Sequence, residues 1–317
     1  MTSPAARAAM AVILTALLLL PSNPAFAWGS KGHRMINRLA WQHLPSDMPA
    51  FLRTAATAEE IEYLAPEPDR WHSPAELDLT AAQAPEHYIN FELADRVGEF
   101  PRQRWQFVRE LYVYGARHPG EAAEMVPERV GLQPWQATEI EERLQIAFRE
   151  WRQAKAEQRN TRAAESAIIF YMGWLGHYVG DGSQPLHTTI QYNGWVGSNP
   201  HGYTTEKKIH AQFETDFVND NINASDVAPF VKTGLPLDDV FTQYVAYLRE
   251  SQQLVERTYQ LEKAGGFTGK GSQESRKFTE ERLAAGATML VTLWETAWVN
   301  SAKPLPDWPA KAPAASK

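Results

Sequence analysis

The sequence predicts a single compact all-α domain with many helices and long loops, and three observations carry that expectation. Apolar residues recur at helical spacing along most of the chain, as over 134–158, where Ile140, Leu144, Ile146, Ala147 and Phe148 stand among charges. Strand signals are scarce, the best being the short run Tyr88-Ile89-Asn90-Phe91. No internal repeat is visible, and a chain of 317 residues with 44% hydrophobic composition is large enough for one extensive core.

The elements follow in order. Residues 1–27 read as a secretory signal peptide: Arg7 is the one charge, an apolar run from Ala8 to Leu20 ends at Pro21, and Ala25-Phe26-Ala27 is a small-x-small cleavage site. The apolar run is short for a membrane span and no other stretch qualifies, so the mature chain is expected to start at Trp28 and to be secreted or periplasmic, not an integral membrane protein. The spacing then predicts helices over 36–44, 134–158, 164–180, 204–222, 237–261 and 276–299. Pro66, Pro68 and Pro74, the Gly- and Asn-rich stretch 193–200, and 265–272 mark loops. The expected domain is 28–303, and 304–317 reads as a disordered Pro/Ala/Lys-rich tail.

Charge and cysteine content narrow the chemistry. The formal charge is −7, or −8 once Arg7 leaves with the leader, which argues against electrostatic capture of bulk nucleic acid or anionic membrane. The chain has no cysteine, so disulfides and thiolate ligands are excluded, and any metal rests on His, Asp and Glu.

Such residues concentrate in the middle of the chain. His177 and Asp181 in HYVGDGSQPLH, His187 at its end, and His210 with Glu214 in HAQFE form two i,i+4 pairs and a fifth donor. On helices each pair projects from one face. One such pair alone is usually a surface hydrogen bond. Two pairs within forty residues, the first following the apolar run Ile168 to Gly176, point instead to buried carboxylates that need a cation. The donors exceed what one tetrahedral zinc can use, which suggests a multinuclear centre and hydrolysis of a phosphoester. Gly173, Gly176 and Gly180 would admit close neighbours or substrate. His43, His72, His118 and His201 fit no pattern and read as surface residues.

Together with Trp28-Gly29-Ser30-Lys31-Gly32-His33 directly after the cleavage site, these motifs resemble the zinc-dependent phospholipase C / single-strand-specific nuclease superfamily, across roughly 28–217. The resemblance implies an exported, mostly helical fold of that type holding three Zn2+ ions. It assigns one ion to Asp69 (EPDRW), His87 (EHYIN), His177 and Asp181, and a second to His187, His210 and Glu214. The third falls to His33, a bridging Asp181, and the free amine and carbonyl of Trp28. Asp69 and Asp181 are the implied catalytic carboxylates, Asp69 also orienting the nucleophile. Tyr88, Tyr192 and Trp195 are candidates to line the substrate cleft, although aromatics of this kind more often serve packing.

The substrate stays open between two readings. The WGxxGH start is nuclease-like and narrowly favours a nuclease, an endonuclease-type hydrolase acting on single-stranded nucleic acid. Glu214, where nucleases usually carry Asp, and the lack of cysteine favour a phospholipase C acting on a phosphatidylcholine-type headgroup, and TTIQYNGW stands where nucleases commonly carry a Gly-Gly-Asn signature. A zinc-binding protein without catalysis is the remote third reading, and no stable protein partner is expected.

Overall fold

A computed structural model describes residues 28–305, so the segment 1–27 expected to be a leader and most of the expected tail lie outside the described residues. The main helices are α1 (Gly29–Gln42), α2 (Ala55–Leu64), α3 (Glu67–Arg70), α4 (Leu77–Gln83), α5 (Arg104–Arg117), α6 (Pro127–Val130), α7 (Gln133–Ala156), α8 (Arg162–Ser183), α9 (Val240–Gln252), α10 (Val255–Lys263) and α11 (Gln273–Asn300). Their starts carry local signals. Thr54, Asp239 and Ser272 accept backbone N–H bonds from Thr57, Thr242 and Ser275 and so cap α2, α9 and α11.

The all-α expectation holds. The weak strand signal at 88–91 amounts to one isolated bridge, from Ile89 to Gly131, because no partner strand runs alongside it. The helix expected over 204–222 is cut into Ile209–Ala211, a π-turn Gln212–Asp216 and Phe217–Asn221, and its first residues are loop. The stretch 237–261 divides at Gln253-Leu254 into α9 and α10. No described helix is long and apolar enough to cross a membrane.

Helix α8 is the axis of the domain, packed against α7, α11, α1 and α2. Two glycines let its neighbours in. A Cβ on Gly176 would fall 1.8 Å from Asn37 Oδ1, and one on Gly180 would fall 2.9 Å from His33 Nδ1. Asn37 uses that space to donate to Ile61 O and Gly173 O, tying α1, α2 and α8 together.

The last carbonyls of a helix lack intrahelical partners, and on α8 other elements supply them. Trp28 Nε1 donates to Gly180 O at 2.8 Å, Gln184 N to Asp181 O at 3.0 Å, and Ser251 Oγ to Gly182 O at 2.6 Å. One turn earlier, Gln133 Nε2 reaches Tyr178 O and Tyr247 Oη reaches Val179 O. The segment carrying His177 and Asp181 is therefore held by α1, α7 and α9 at once.

Candidate metal centre

Each expected donor reaches the interior from a different part of this frame. His33 comes from the first turns of α1, Asp69 from α3, His87 from the turn after α4, and His177 and Asp181 from α8. His187 sits in the single turn Pro185–Thr188, His210 in Ile209–Ala211, and Glu214 in the π-turn. All eight are buried, none more than 7% exposed. Asp69 is helical, where its proline-rich surroundings suggest a loop, because Pro68 at the start of α3 suits a first helical turn.

Their donor atoms gather into three groups: His33, Asp69 and His177; His87, His177 and Asp181; His187, His210 and Glu214. The third brings together the three residues that the family resemblance assigns to one ion. In the first two, His177 occurs twice, and because its Nδ1 lies 2.9 Å from Ala65 O only Nε2 faces inward. They therefore form one pool of five side chains. Asp181 divides that pool: Oδ1 lies 3.4 Å from His33 Nε2, while Oδ2 lies 3.1 Å from His87 Nδ1 and 3.5 Å from His177 Nε2. Asp69 Oδ1 approaches His177 Nε2 at 3.6 Å. In the third group Glu214 Oε2 stands 3.0 Å from His210 Nε2 and 3.7 Å from His187 Nε2.

Outer contacts orient these donors. His187 Nδ1 lies 2.7 Å from His87 O and His210 Nδ1 lies 3.0 Å from Tyr192 O. With His177, three imidazoles thus spend Nδ1–H on a backbone carbonyl and turn the Nε2 lone pair inward. His87 is reversed: its Nε2 faces Gln83 Oε1 at 2.5 Å and its Nδ1 looks into the group. Gln184 Nε2 donates to Glu214 Oε2 at 2.9 Å.

The electrostatics are those of a site made for cations. Burial, then repulsion from Glu214, pushes the Asp181 carboxyl well above the usual range, although His187 and His210 pull it down. Asp69 is also pushed well up, by burial and then by Asp181 and Glu214. Burial lowers His87 to about 3 and, with the charges of His33 and His87, lowers His177 well below its ordinary value. Burial would raise Glu214, but the charge and hydrogen bond of His210 outweigh it and hold the carboxyl at about 2. Asp69 Oδ2, Asp181 Oδ1 and Glu214 Oε1 are buried with no hydrogen-bond partner. Such oxygens are costly unless a cation faces them. Imidazole nitrogens and carboxylate oxygens without sulfur suit zinc. The residues fit the metal.

The groups open onto one cleft of about 310 Å³ whose lining includes Asp69, His87, His187 and His210 together with Tyr88 and Tyr192. Tyr192 is 52% exposed and sets its ring edge-on to His210. Trp195 does not line this cleft. It packs on Tyr203 and Tyr259, and its indole N–H bonds to Ser198 O. Trp28 sits at the head of α1 with φ 43°, its indole buried and donating also to Ser183 Oγ, and its carbonyl accepts from Gly32 N at 3.1 Å.

His72, read as a surface residue, lines the cleft half-buried, its ring 5.0 Å from that of His87. Burial and the charge of His87 lower it to about 4. Gln83 and Gln184 also escape the motif reading. Spacing marks them in retrospect: Gln83 lies four residues before His87, Gln184 three before His187, and His72 three after Asp69.

Comparison with known proteins adds two findings. The sequence pattern of the S1/P1 nuclease family matches residues 28–304. A probable serine protease of Bradyrhizobium tropiciagri is 27% identical over 161 residues, covering 40% of this chain and 20% of that protein. The chain thus spans about a fifth of that relative's length, and the protease activity in its name is said of that protein alone.

Proposed function

The chain belongs to the S1/P1 nuclease family, and on that premise we propose that it is an exported three-zinc phosphodiesterase that cuts single-stranded nucleic acid. One observation carries the reading: every one of the three buried donor groups contributes a residue to the same cleft, Asp69 from the first, His87 from the second, His187 and His210 from the third. A phosphodiester entering that cleft meets donors from all three groups at once.

The five-residue pool of His33, Asp69, His87, His177 and Asp181 would hold two ions, with the amine of Trp28 completing one of them, and His187, His210 and Glu214 would hold the third. Zinc held in these places would supply positive charge for the phosphoryl oxygens and would lower the pKa of water towards neutrality. The chain does the rest. Asp69, buried yet lining the cleft, would orient an attacking water and hold its proton. Tyr88 and Tyr192 offer ring faces on which an unstacked base can lie. Leu186 closes the floor with an apolar surface.

The test is zinc-reconstituted protein assayed side by side on single-stranded DNA, RNA and phosphatidylcholine, each with a chelator control. Chelator-sensitive cleavage of the nucleic acids is expected. Release of diacylglycerol without nucleic-acid cleavage would overturn the reading in favour of a phospholipase C.

A further inference from the structure

Arg129 is the one arginine or lysine among the residues lining the cleft, where it stands exposed at the rim with Tyr88 and Glu128. Most other arginines near the surface are engaged: Arg70 with Glu67, Arg96 with Glu121, Arg102 with Asp239, Arg104 with Glu86, Arg249 with Asp95. Among the described residues no carboxylate lies within ion-pair distance of the Arg129 guanidinium.

Its backbone, by contrast, is pinned to the segment that carries His87. Tyr88 Oη donates to Glu128 O at 2.7 Å, Asn90 Nδ2 to Arg129 O at 2.6 Å, and Asn90 N to Val130 O at 2.7 Å. Gly131 closes the contact, since a Cβ there would fall 2.1 Å from Tyr88 O. An unpaired cation on a fixed base is what anion recognition requires, and a guanidinium matches phosphate in two parallel hydrogen bonds.

From this placement we infer that Arg129 grips the phosphate next to the scissile one, so that the site favours substrates with consecutive phosphates. The inference rests on the nuclease reading of the same cleft. A cleft of about 310 Å³ is at the small end of ligand sites and encloses one nucleotide-sized unit. The scissile phosphate is drawn to the buried donor groups, so the continuing strand crosses the rim, where Arg129 is the cation that meets it. A phosphatidylcholine headgroup brings a single phosphate and a cationic tail that Arg129 repels.

The test compares a thymidine dinucleotide, with one phosphodiester, and the trinucleotide, with two, on zinc-loaded wild type, Arg129→Ala and Arg129→Lys. Wild type should show a KM roughly tenfold lower for the trinucleotide, Arg129→Ala should erase most of that gain, and Arg129→Lys should restore part of it. The plot of log KM against log salt for the trinucleotide should flatten by roughly 0.7 in Arg129→Ala, the contribution of one phosphate contact on a single strand. Thermal unfolding checks that both variants fold. A trinucleotide gain that persists in Arg129→Ala overturns the inference, as does an equal loss on both substrates. A wild type that hydrolyses phosphatidylcholine and neither oligonucleotide sinks the nuclease reading itself, and the inference with it, by a result in which the variants play no part.

Discussion

Asp181 shows its two carboxylate oxygens to different histidines, Oδ1 to His33 and Oδ2 to His87 and His177, whereas Glu214 turns one oxygen to His210 and His187. Removing the charge should therefore cost more at Asp181. Asp181→Asn is expected to lose about two metal equivalents and nearly all activity, and Glu214→Gln about one equivalent; elemental analysis with parallel assays reads both. Identical metal content in the two variants would remove the bridging role. Gln184 offers a subtler test. Its amide N–H fixes Glu214 Oε2 while its Oε1 accepts from Leu186 N at 2.6 Å, so it orients a donor without being one. Gln184→Ala should weaken retention of one ion roughly 10- to 100-fold in chelator competition, with the helix content unchanged. Donors such as His177 and Asp181 are legible in the sequence because their spacing matches the helical repeat. Gln83, Gln184 and His72 are not, because an orienting amide or a rim imidazole leaves no periodic mark and takes its meaning from a residue brought near only by the fold.

Long helices announce themselves, and short ones do not. Helices α7, α8 and α11 are visible in the sequence as sustained apolar periodicity, with bounds near those observed. Helix α3 and the turn Pro185–Thr188 each span four residues, too few for any period, and they are the elements that deliver Asp69 and His187. The π-turn at 212–216 breaks the expected helix where Glu214 must reach Nε2 of both His187 and His210, consistent with the use of such turns at functional sites. Helix α7 also buries a group that the mechanism leaves unused. Glu141 is 2% exposed with Oε1 unpartnered, and burial, then the charge of Glu142, raises its carboxyl to about 8. The folded state therefore holds this proton more tightly than the unfolded one. The stability contributed by the protonated carboxyl is full below about pH 4.5 and is lost as pH rises towards 8. Glu141→Gln keeps the shape without the ionisation, so it should raise the unfolding temperature at pH 8.5 by several degrees and change it little at pH 5. Calorimetry at the two pH values decides the matter, and an equal shift at both would show that ionisation is not the cause.

At the scale of the molecule, the head of α1 and the end of α8 are built as one unit. The Trp28 indole bonds to Gly180 O and Ser183 Oγ, the residues flanking Asp181 by one and two positions, and one turn later α1 delivers His33 to the same carboxylate. We propose that a free α-amine on Trp28 completes the coordination begun by His33, a reading supported by the anchoring of the Trp28 side chain beside the turn that carries Asp181. Only a chain end offers that ligand: the amine has an ordinary pKa of roughly 8 and can be captured as the neutral base, whereas the nitrogen of an internal Trp28 is an amide with no lone pair to give. A protein carrying extra residues before Trp28 should therefore fold with the same helix content, bind about two ions instead of three, and lose most of its activity. Trimming back to Trp28 should restore the missing ion and turnover together. The competing account is that Trp28 matters only through its indole, which fills the core against Phe213 and caps α8. Under that account an extended protein keeps three ions and full activity, while Trp28→Phe destabilises the fold. Metal analysis of the extended and trimmed forms separates the two.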